Sequence, residues 1–132
     1  MQEGIDKHEL YGMQPVLQVK DVSAAVAYYR DILGFEVDFI YGNPPIHARV
    51  SSGDRVRGYA VRIRLIPFSS AQEKNCRGYC WIYVGKSLDE LYERYREAGV
   101  KIISEPENKP WGLRDFRIQD LDEHLYCFAS EI

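Results

Sequence analysis

The sequence predicts an α+β fold made of two tandem βαβββ modules, which form curved mixed sheets around a concave groove and carry their helices on the outer face. The chain has 132 residues, enough for one compact domain. The segment "LQVKDVSAAVAYYRDILGFEVDF" aligns with "IYVGKSLDELYERYREAGVKIIS" at a constant offset of 65 residues, which pairs Leu17 with Ile82 and Gly34 with Gly99. Each copy shows one strand pattern, one helix pattern and three further strand patterns.

The first module begins with a short strand and continues into an amphipathic helix. Asp21 precedes this helix as its N-cap, and Gly34 ends it in the left-handed conformation that glycine adopts readily. Alternating segments then predict three strands at "FEVDFIY", "IHARV" and "AVRIRLI", separated by "GNPP" and "SSGD". The apolar stripe of the helix has helical spacing: Val22, Val26, Tyr29 and Leu33.

The second module repeats this order. The stretch from Ser87 to Glu90 fits a capping box, and Gly99 ends the second helix. Strands are predicted at "KIIS", "LRDFRI" and "LYCFAS", with "EPENKPWG" and "DLDEH" as the turns between them. We expect the two repeats at about 13–70 and 76–132, within a single domain of residues 13–132, and an N-terminal arm at residues 1–12.

A four-stranded sheet with one covering helix leaves its other face open. Two such sheets must therefore share a concave surface or pair with another chain. We expect function to reside in that concave groove, because ligand sites are concave.

Composition excludes several classes of partner. The 17 basic and 20 acidic residues leave a formal net charge of -3, and no basic run predicts a nucleic-acid partner. No apolar run reaches the roughly 18 to 20 residues of a membrane span, and the polar start predicts no signal peptide, so we expect a cytoplasmic protein without a membrane partner. The cysteines are predicted to be reduced and to hold no structural zinc: Cys76, Cys80 and Cys127.

Two motifs carry a family resemblance: "VKDVSAAVAYYRDILGFEV" opens the first module, and "KPWGLRDFRIQDLDEHLYCF" closes the second. Over about residues 13 to 130 the chain resembles the vicinal oxygen chelate superfamily, which contains glyoxalases, bleomycin resistance proteins and extradiol dioxygenases. The second motif resembles bleomycin-resistance-type binding proteins, in which a Pro-Trp-Gly turn leads into a strand and an acidic turn. Here that acidic turn, residues 120–123, lacks the family's proline and glycine.

Enzymes of this superfamily hold a divalent metal at four positions. The matching positions in this chain are Gln14, Arg64, Tyr79 and Cys127. The resemblance implies that only Gln14 is a suitable oxygen ligand, because the Arg64 guanidinium is a permanent cation with no free lone pair. We therefore expect no metal, no cofactor and no catalytic residue. The three histidines share no metal-ligand spacing and are interpreted as surface or turn residues: His8, His47 and His124.

The resemblance also fixes which strand residues face the groove, because side chains alternate along a strand. They are Gln14, Val16, Gln18, Arg62, Arg64, Tyr79, Trp81, Tyr83, Leu125, Cys127 and Ala129. Aromatic rings, amides and arginines suit the binding of a small molecule. The alternative is that the rings pack the groove shut and the arginines pair with acids such as Asp38 or Asp115.

Trp111 lies between Pro110 and Gly112, two residues that set the backbone geometry of a turn. In the resembled binding proteins this turn lies at the rim of the ligand crevice. We therefore expect the indole to form a wall of the groove rather than to plug the edge of a core. Phe39 and Phe116 are further wall candidates, with an ordinary core position as the alternative.

The sequence thus predicts a metal-free binding protein for a small aromatic molecule, such as an antibiotic or toxin. The groove arginines favour an anionic or neutral ligand over a cationic one such as bleomycin. A homodimer is expected, because the resembled proteins complete their crevices with the partner chain. Two alternatives stay open: a metal-dependent lyase, isomerase or dioxygenase that uses Gln14 with another acid, and a metal-free enzyme with Tyr79 or Cys127 as acid or base.

Overall fold

The computed structural model describes residues 9–54, 56–68 and 77–132. Cys76, the predicted junction between the repeats and residues 1–8 of the predicted arm lie outside the described residues. The elements in chain order are β1 (Val16–Val19), α1 (Val22–Asp31), β2 (Glu36–Tyr41), β3 (His47–Ser52), β4 (Val61–Pro67), β5 (Tyr79–Tyr83), α2 (Leu88–Glu97), β6 (Lys101–Asn108), β7 (Leu113–Gln119) and β8 (Leu125–Glu131). This order confirms the predicted α+β fold of two βαβββ modules.

Each module forms a four-stranded mixed sheet. The first sheet has the order β1-β4-β3-β2 and the second has the order β5-β8-β7-β6. In both, the first strand of the module runs parallel to the last, and the remaining pairs are antiparallel. The register sets Val16 opposite Arg64 in the first sheet and Trp81 opposite Cys127 in the second, so these pairs occupy equivalent places.

The side-chain N-cap predicted from the sequence is present in α1 and absent from α2. Asp21 accepts a hydrogen bond from the Ala24 amide at 3.1 Å, which confirms the predicted cap of α1. Ser87 makes no such bond, so the capping box predicted for α2 is wrong. The backbone of Ser87 has φ -91° and ψ 23°, outside the extended conformation that capping side chains use. No helix in the described part is long and apolar enough to cross a membrane.

Strand β6 runs four residues beyond the predicted "KIIS" and includes Pro106. Proline cannot donate to a sheet ladder, but β6 is an edge strand, where the missing amide costs little. The register of β6 on β7 also shifts between Ser104 and Glu107, around the proline. The sequence pattern predicted a turn here because it does not distinguish an irregular edge strand from a loop.

One hydrophobic core lies under both helices and joins the two modules. Polar contacts cross the same junction. The Tyr29 hydroxyl donates to the Asp120 carboxylate and bonds the Tyr126 hydroxyl at 2.8 Å. The buried His124 ring accepts from the Gly78 amide at Nδ1 (2.7 Å) and donates from Nε2 to the Gln18 carbonyl (2.7 Å). His124 thus follows the last turn, as predicted, but it is a core residue rather than a surface one.

Candidate functional site

Each sheet has an open face, which we define as the face turned away from its helix. In the first sheet Leu17, Val19, Ile63 and Leu65 fill the core, so alternation places their neighbours on the open face. The first open face comprises Gln14, Val16, Gln18, Glu36, Asp38, Phe39, Tyr41, His47, Arg49, Ser51, Arg62 and Arg64. The second open face comprises Tyr79, Trp81, Tyr83, Asp115, Arg117, Gln119, Leu125, Cys127 and Ala129.

Arg64 is held in place by three contacts on the first open face. Its Nε donates to Gln14 Oε1 at 2.9 Å, and its Nη1 donates to His47 Nε2 at 3.2 Å. The guanidinium carbon lies 5.8 Å from the centroid of the Phe39 ring, a distance typical of a cation–π contact. The guanidinium can only donate, so His47 accepts at Nε2 and carries its proton at Nδ1.

A β-bulge brings two neighbouring side chains to this face. The register of β2 shifts between Val37 and Phe39, so Asp38 is the extra residue, and both Asp38 and Phe39 project to the open side. Asp38 accepts from Arg49 Nε at 2.8 Å and from Ser51 Oγ at 2.8 Å. Burial alone would raise the pKa of Asp38, but these two bonds hold it below its ordinary value.

The second open face carries a strip of exposed aromatic rings along β5. Tyr79 is 56% exposed, Trp81 41% and Tyr83 71%, and the rings of Trp81 and Tyr83 are 6.3 Å apart. The Arg117 guanidinium lies 6.0 Å from the centroid of the Tyr79 ring. Rings of this size are seldom left open in a row on one strand without a partner to cover them.

Cys127 lies beside this strip and is fully buried. Burial raises the pKa of its thiol, and a hydrogen bond from Arg117 opposes that effect only in part. The hydrogen bond to Cys127 in turn raises the pKa of Arg117. Since the thiolate is the reactive form, a buried thiol with a raised pKa is a poor nucleophile or base near neutral pH. Asp115 Oδ2 and Arg117 Nε are buried and make no hydrogen bond to the described residues.

The two remaining wall candidates differ. Trp111 sits in a turn that the Gly112 amide closes on the Lys109 carbonyl at 3.1 Å, with Gly112 at φ 87°. Its indole is 63% exposed, so it does not plug a core edge within the chain. Phe116 is fully buried and stacks on Phe128 at 5.2 Å. Alternation along β7 turns Phe116 toward α2, so it belongs to the core and not to the open face.

A hollow of about 490 Å³ lies elsewhere, between α2 and β6. Its arginines already pair with acids of the same hollow, Arg96 with Glu93 at 2.6 Å and Arg114 with Asp89 at 3.0 Å. We do not place the site there, because these surface charges are already paired and leave few free charged groups to bind a ligand.

A family model for the Glyoxalase/Bleomycin resistance protein/Dioxygenase superfamily matches residues 13–128. The chain belongs to this superfamily. No curated protein sequence matches it.

Solved structures of the superfamily show the same fold. The bleomycin-binding protein from bleomycin-producing Streptomyces verticillus, complexed with copper(II)-bleomycin, is 27% identical, with 93% of this chain and 98% of that chain covered and a TM-score of 0.69. TioX from Micromonospora sp. ML1 is 26% identical, with 92% and 97% covered and a TM-score of 0.68. Lactoylglutathione lyase from Agrobacterium tumefaciens, at 19% identity, 92% and 93% coverage and a TM-score of 0.69, shows a likeness of fold alone.

The four residues at which the resemblance implies a metal in related enzymes do not suit a divalent cation in this chain. Gln14 Oε1, the best oxygen donor of the four, already accepts from Arg64, and the Arg64 guanidinium carries a positive charge at the neighbouring position. Of the other two, Tyr79 is an exposed phenol and Cys127 a buried thiol. The described residues contain no group of three or more His, Cys, Asp or Glu that would hold a metal.

Sequence reasoning missed three residues of the open faces. His47, Arg49 and Arg117 all lie on the open side next to predicted site residues: His47 bonds Arg64, Arg49 lies opposite Arg64, and Arg117 lies opposite Cys127. The same alternation that placed Arg64 would have placed them, once β3 and β7 were registered against their neighbours.

Proposed function

We propose that the protein captures a small aromatic molecule, such as an antibiotic or toxin, by stoichiometric binding rather than catalysis. The observation that carries this proposal is the exposed ring strip of Tyr79, Trp81 and Tyr83 on the second open face. Aromatic side chains offer large contact areas and lose few rotamers when they bind. A flat ligand laid on this strip would bury surfaces that a single chain leaves open.

The proposal includes metal-free binding. The hydrogen bond from Arg64 occupies Gln14 Oε1, the oxygen ligand that a metal would need, and the raised pKa of the Cys127 thiol opposes a role as general base. The bleomycin-binding protein, at 27% identity, supports a binding role and, by extension, a role in antibiotic resistance.

The active form would be a homodimer. Each open face leaves apolar surface exposed within the described chain: the second exposes its aromatic strip, and the first exposes Val16 and Tyr41. A two-fold arrangement that sets the first open face of one protomer against the second open face of its partner would bury both and form two equal crevices. Light scattering coupled to size-exclusion chromatography tests this; a monomer at micromolar concentration would contradict it.

Tryptophan fluorescence tests the binding function directly. We expect titration with a panel of aromatic antibiotics to quench or shift the emission, with saturation at one ligand per protomer. Trp81→Phe and Trp111→Phe should each remove part of the signal, because one ring lies on the strip and the other at the predicted rim. Absence of any response across the panel would contradict the proposal.

Elemental analysis of the same sample separates binding from metal chemistry. We expect less than stoichiometric divalent metal after purification without chelator. One tightly held metal per protomer, together with lyase, isomerase or dioxygenase activity, would replace the binding proposal with the enzymatic alternative.

A further inference from the structure

Arg64 differs from most described arginines in having no carboxylate partner among the described residues. Six others lie within salt-bridge distance of an acid: Arg30, Arg49, Arg57, Arg77, Arg96 and Arg114. The described partners of Arg64 are the neutral amide of Gln14 and the ring nitrogen of His47. Its charge is therefore oriented by hydrogen bonds but not neutralised by them.

The donor inventory of Arg64 leaves room for a ligand. A guanidinium has five N–H groups, and the contacts with Gln14 and His47 use one at Nε and one at Nη1, which leaves 5 − 2 = 3 without a partner among the described residues. The free groups include both N–H bonds of Nη2. Together with the spare N–H of Nη1 they form the planar fork that binds a carboxylate with two parallel hydrogen bonds.

The acids of the first open face do not compete for this fork. Asp38 pairs with Arg49, the cross-strand neighbour of Arg64, and Glu36 lies in the row of Ser51 and Arg62; both acids line a cavity of about 160 Å³ with Arg49 and Arg62. Both oxygens of Asp38 are already used, one by Arg49 and one by Ser51. Arg64 is also partly buried, so its field is less screened than that of an exposed side chain.

We propose that the ligand carries a planar anionic group, a carboxylate, which the Arg64 fork binds beside the ring of Phe39. This deepens the proposed function, on which it rests, by naming the charge and the anchoring group of the ligand. The aromatic part of the ligand then lies against rings, and its carboxylate fixes the orientation.

Three matched probes test the inference: 2-naphthoate, 2-naphthamide and 2-naphthylmethylamine, which share one ring system and differ in charge. Tryptophan emission is followed at low and at high salt. We expect naphthoate to bind at least tenfold more tightly than the amide at low salt, the amine to bind most weakly, and the preference for naphthoate to shrink as salt increases.

Substitutions of Arg64 test whether this residue causes the preference for 2-naphthoate over 2-naphthamide. Arg64→Gln should remove the advantage of naphthoate over naphthamide, while Arg64→Lys, which keeps the charge and loses the fork, should retain part of that advantage. Arg96→Gln is the matched control, because it removes a surface arginine of α2 and should change neither affinity. Circular dichroism and thermal melting check that each variant folds.

The possible outcomes separate the two proposals. If the amide or the amine binds as well as naphthoate, or if Arg64→Gln keeps the preference, the carboxylate inference fails while the binding function stands. If Arg64→Gln instead converts a dimer to a monomer without changing the preference, Arg64 belongs to the protomer contact and the inference fails. If none of the three probes binds at millimolar concentration, both proposals fail.

Discussion

The two open faces occupy equivalent places in a repeated fold and have opposite chemistry. At an offset of 65 residues, Gln14, Val16 and Gln18 of the first module are replaced by three aromatic residues of the second: Tyr79, Trp81 and Tyr83. Opposite them in the register, the cation Arg64 corresponds to the buried thiol Cys127. One face therefore offers an oriented charge, and the other offers flat apolar area.

The two modules would therefore make different kinds of contact with a ligand. The second open face offers the exposed rings of Tyr79, Trp81 and Tyr83, while Asp115 Oδ2 and Arg117 Nε are buried beside them and make no hydrogen bond to the described residues. The first open face pairs Arg49 with Asp38 and leaves Arg64 with N–H groups that have no partner among the described residues. Contact area and orientation thus come from different modules, and a ligand that needs both must touch both faces.

The largest expected effect comes from breaking the junction that holds the two modules together. His124→Ala removes hydrogen bonds to the Gly78 amide and the Gln18 carbonyl. Each buried group left without a partner costs about 1 to 3 kcal/mol, so we expect the free energy of unfolding to fall by about 2 to 4 kcal/mol. Urea denaturation followed by circular dichroism measures it.

His47→Ala is the control for this substitution, because His47 lies on an open face and bonds only across the first sheet. Its effect should stay below about 1 kcal/mol. Equal losses in the two variants would mean that the junction is no more important for stability than the open face.

A smaller effect should follow from trimming the aromatic strip. Tyr83→Ala removes a ring that is mostly exposed, so we expect little change in stability but a loss of about 1 kcal/mol in ligand affinity, or about fivefold. The loss should be the same for 2-naphthoate and 2-naphthamide, in contrast to the charge-selective effect expected at Arg64.

Leu121→Ala is the matched control for the strip, since Leu121 is an exposed apolar residue in the β7–β8 turn, which lies at the opposite end of β5 from Tyr83. It should leave both affinities unchanged. A Tyr83→Ala variant that discriminates between the two probes would show that the two modules do not divide contact and charge as described.

The sequence predicted the fold well because its main signals are local. The repeat offset, the helix spacing and Gly34 and Gly99 at the helix ends specify two equal modules, and the structure has Gly34 at φ 80° and Gly99 at φ 83°. The two incorrect predictions, the capping box of α2 and the extent of β6, also arise from local features. Ser87 has a capping sequence without the capping backbone, and the irregular edge strand β6 resembles a loop.

The open faces were harder to predict, because their chemistry depends on contacts between strands. Alternation placed Arg64, but its partner His47 lies 17 residues away and became visible only through the register of β3 on β4. The bulge at Asp38 could not be inferred from a period of two, which would have put Asp38 and Phe39 on opposite faces.

The smallest expected effect is on the pH dependence of stability, which should have opposite signs for Asp120 at the junction and for Asp38 on the first open face. Burial raises the pKa of Asp120, and the bond from Tyr29 offsets this only in part, so the folded chain holds this proton more tightly than the unfolded chain does. Its stabilising contribution is complete below the ordinary pKa of 3.8 and is lost as pH rises through the folded value. Asp38 has a lowered pKa, so its contribution to stability is present above pH 3.8 and is lost as pH falls.

In urea denaturation from pH 3 to pH 7, Asp120→Asn should therefore lose the decline in stability with rising pH, and Asp38→Asn should lose the decline with falling pH. Parallel profiles for the two variants would contradict the assignment, because they would place both carboxylates in the same electrostatic environment.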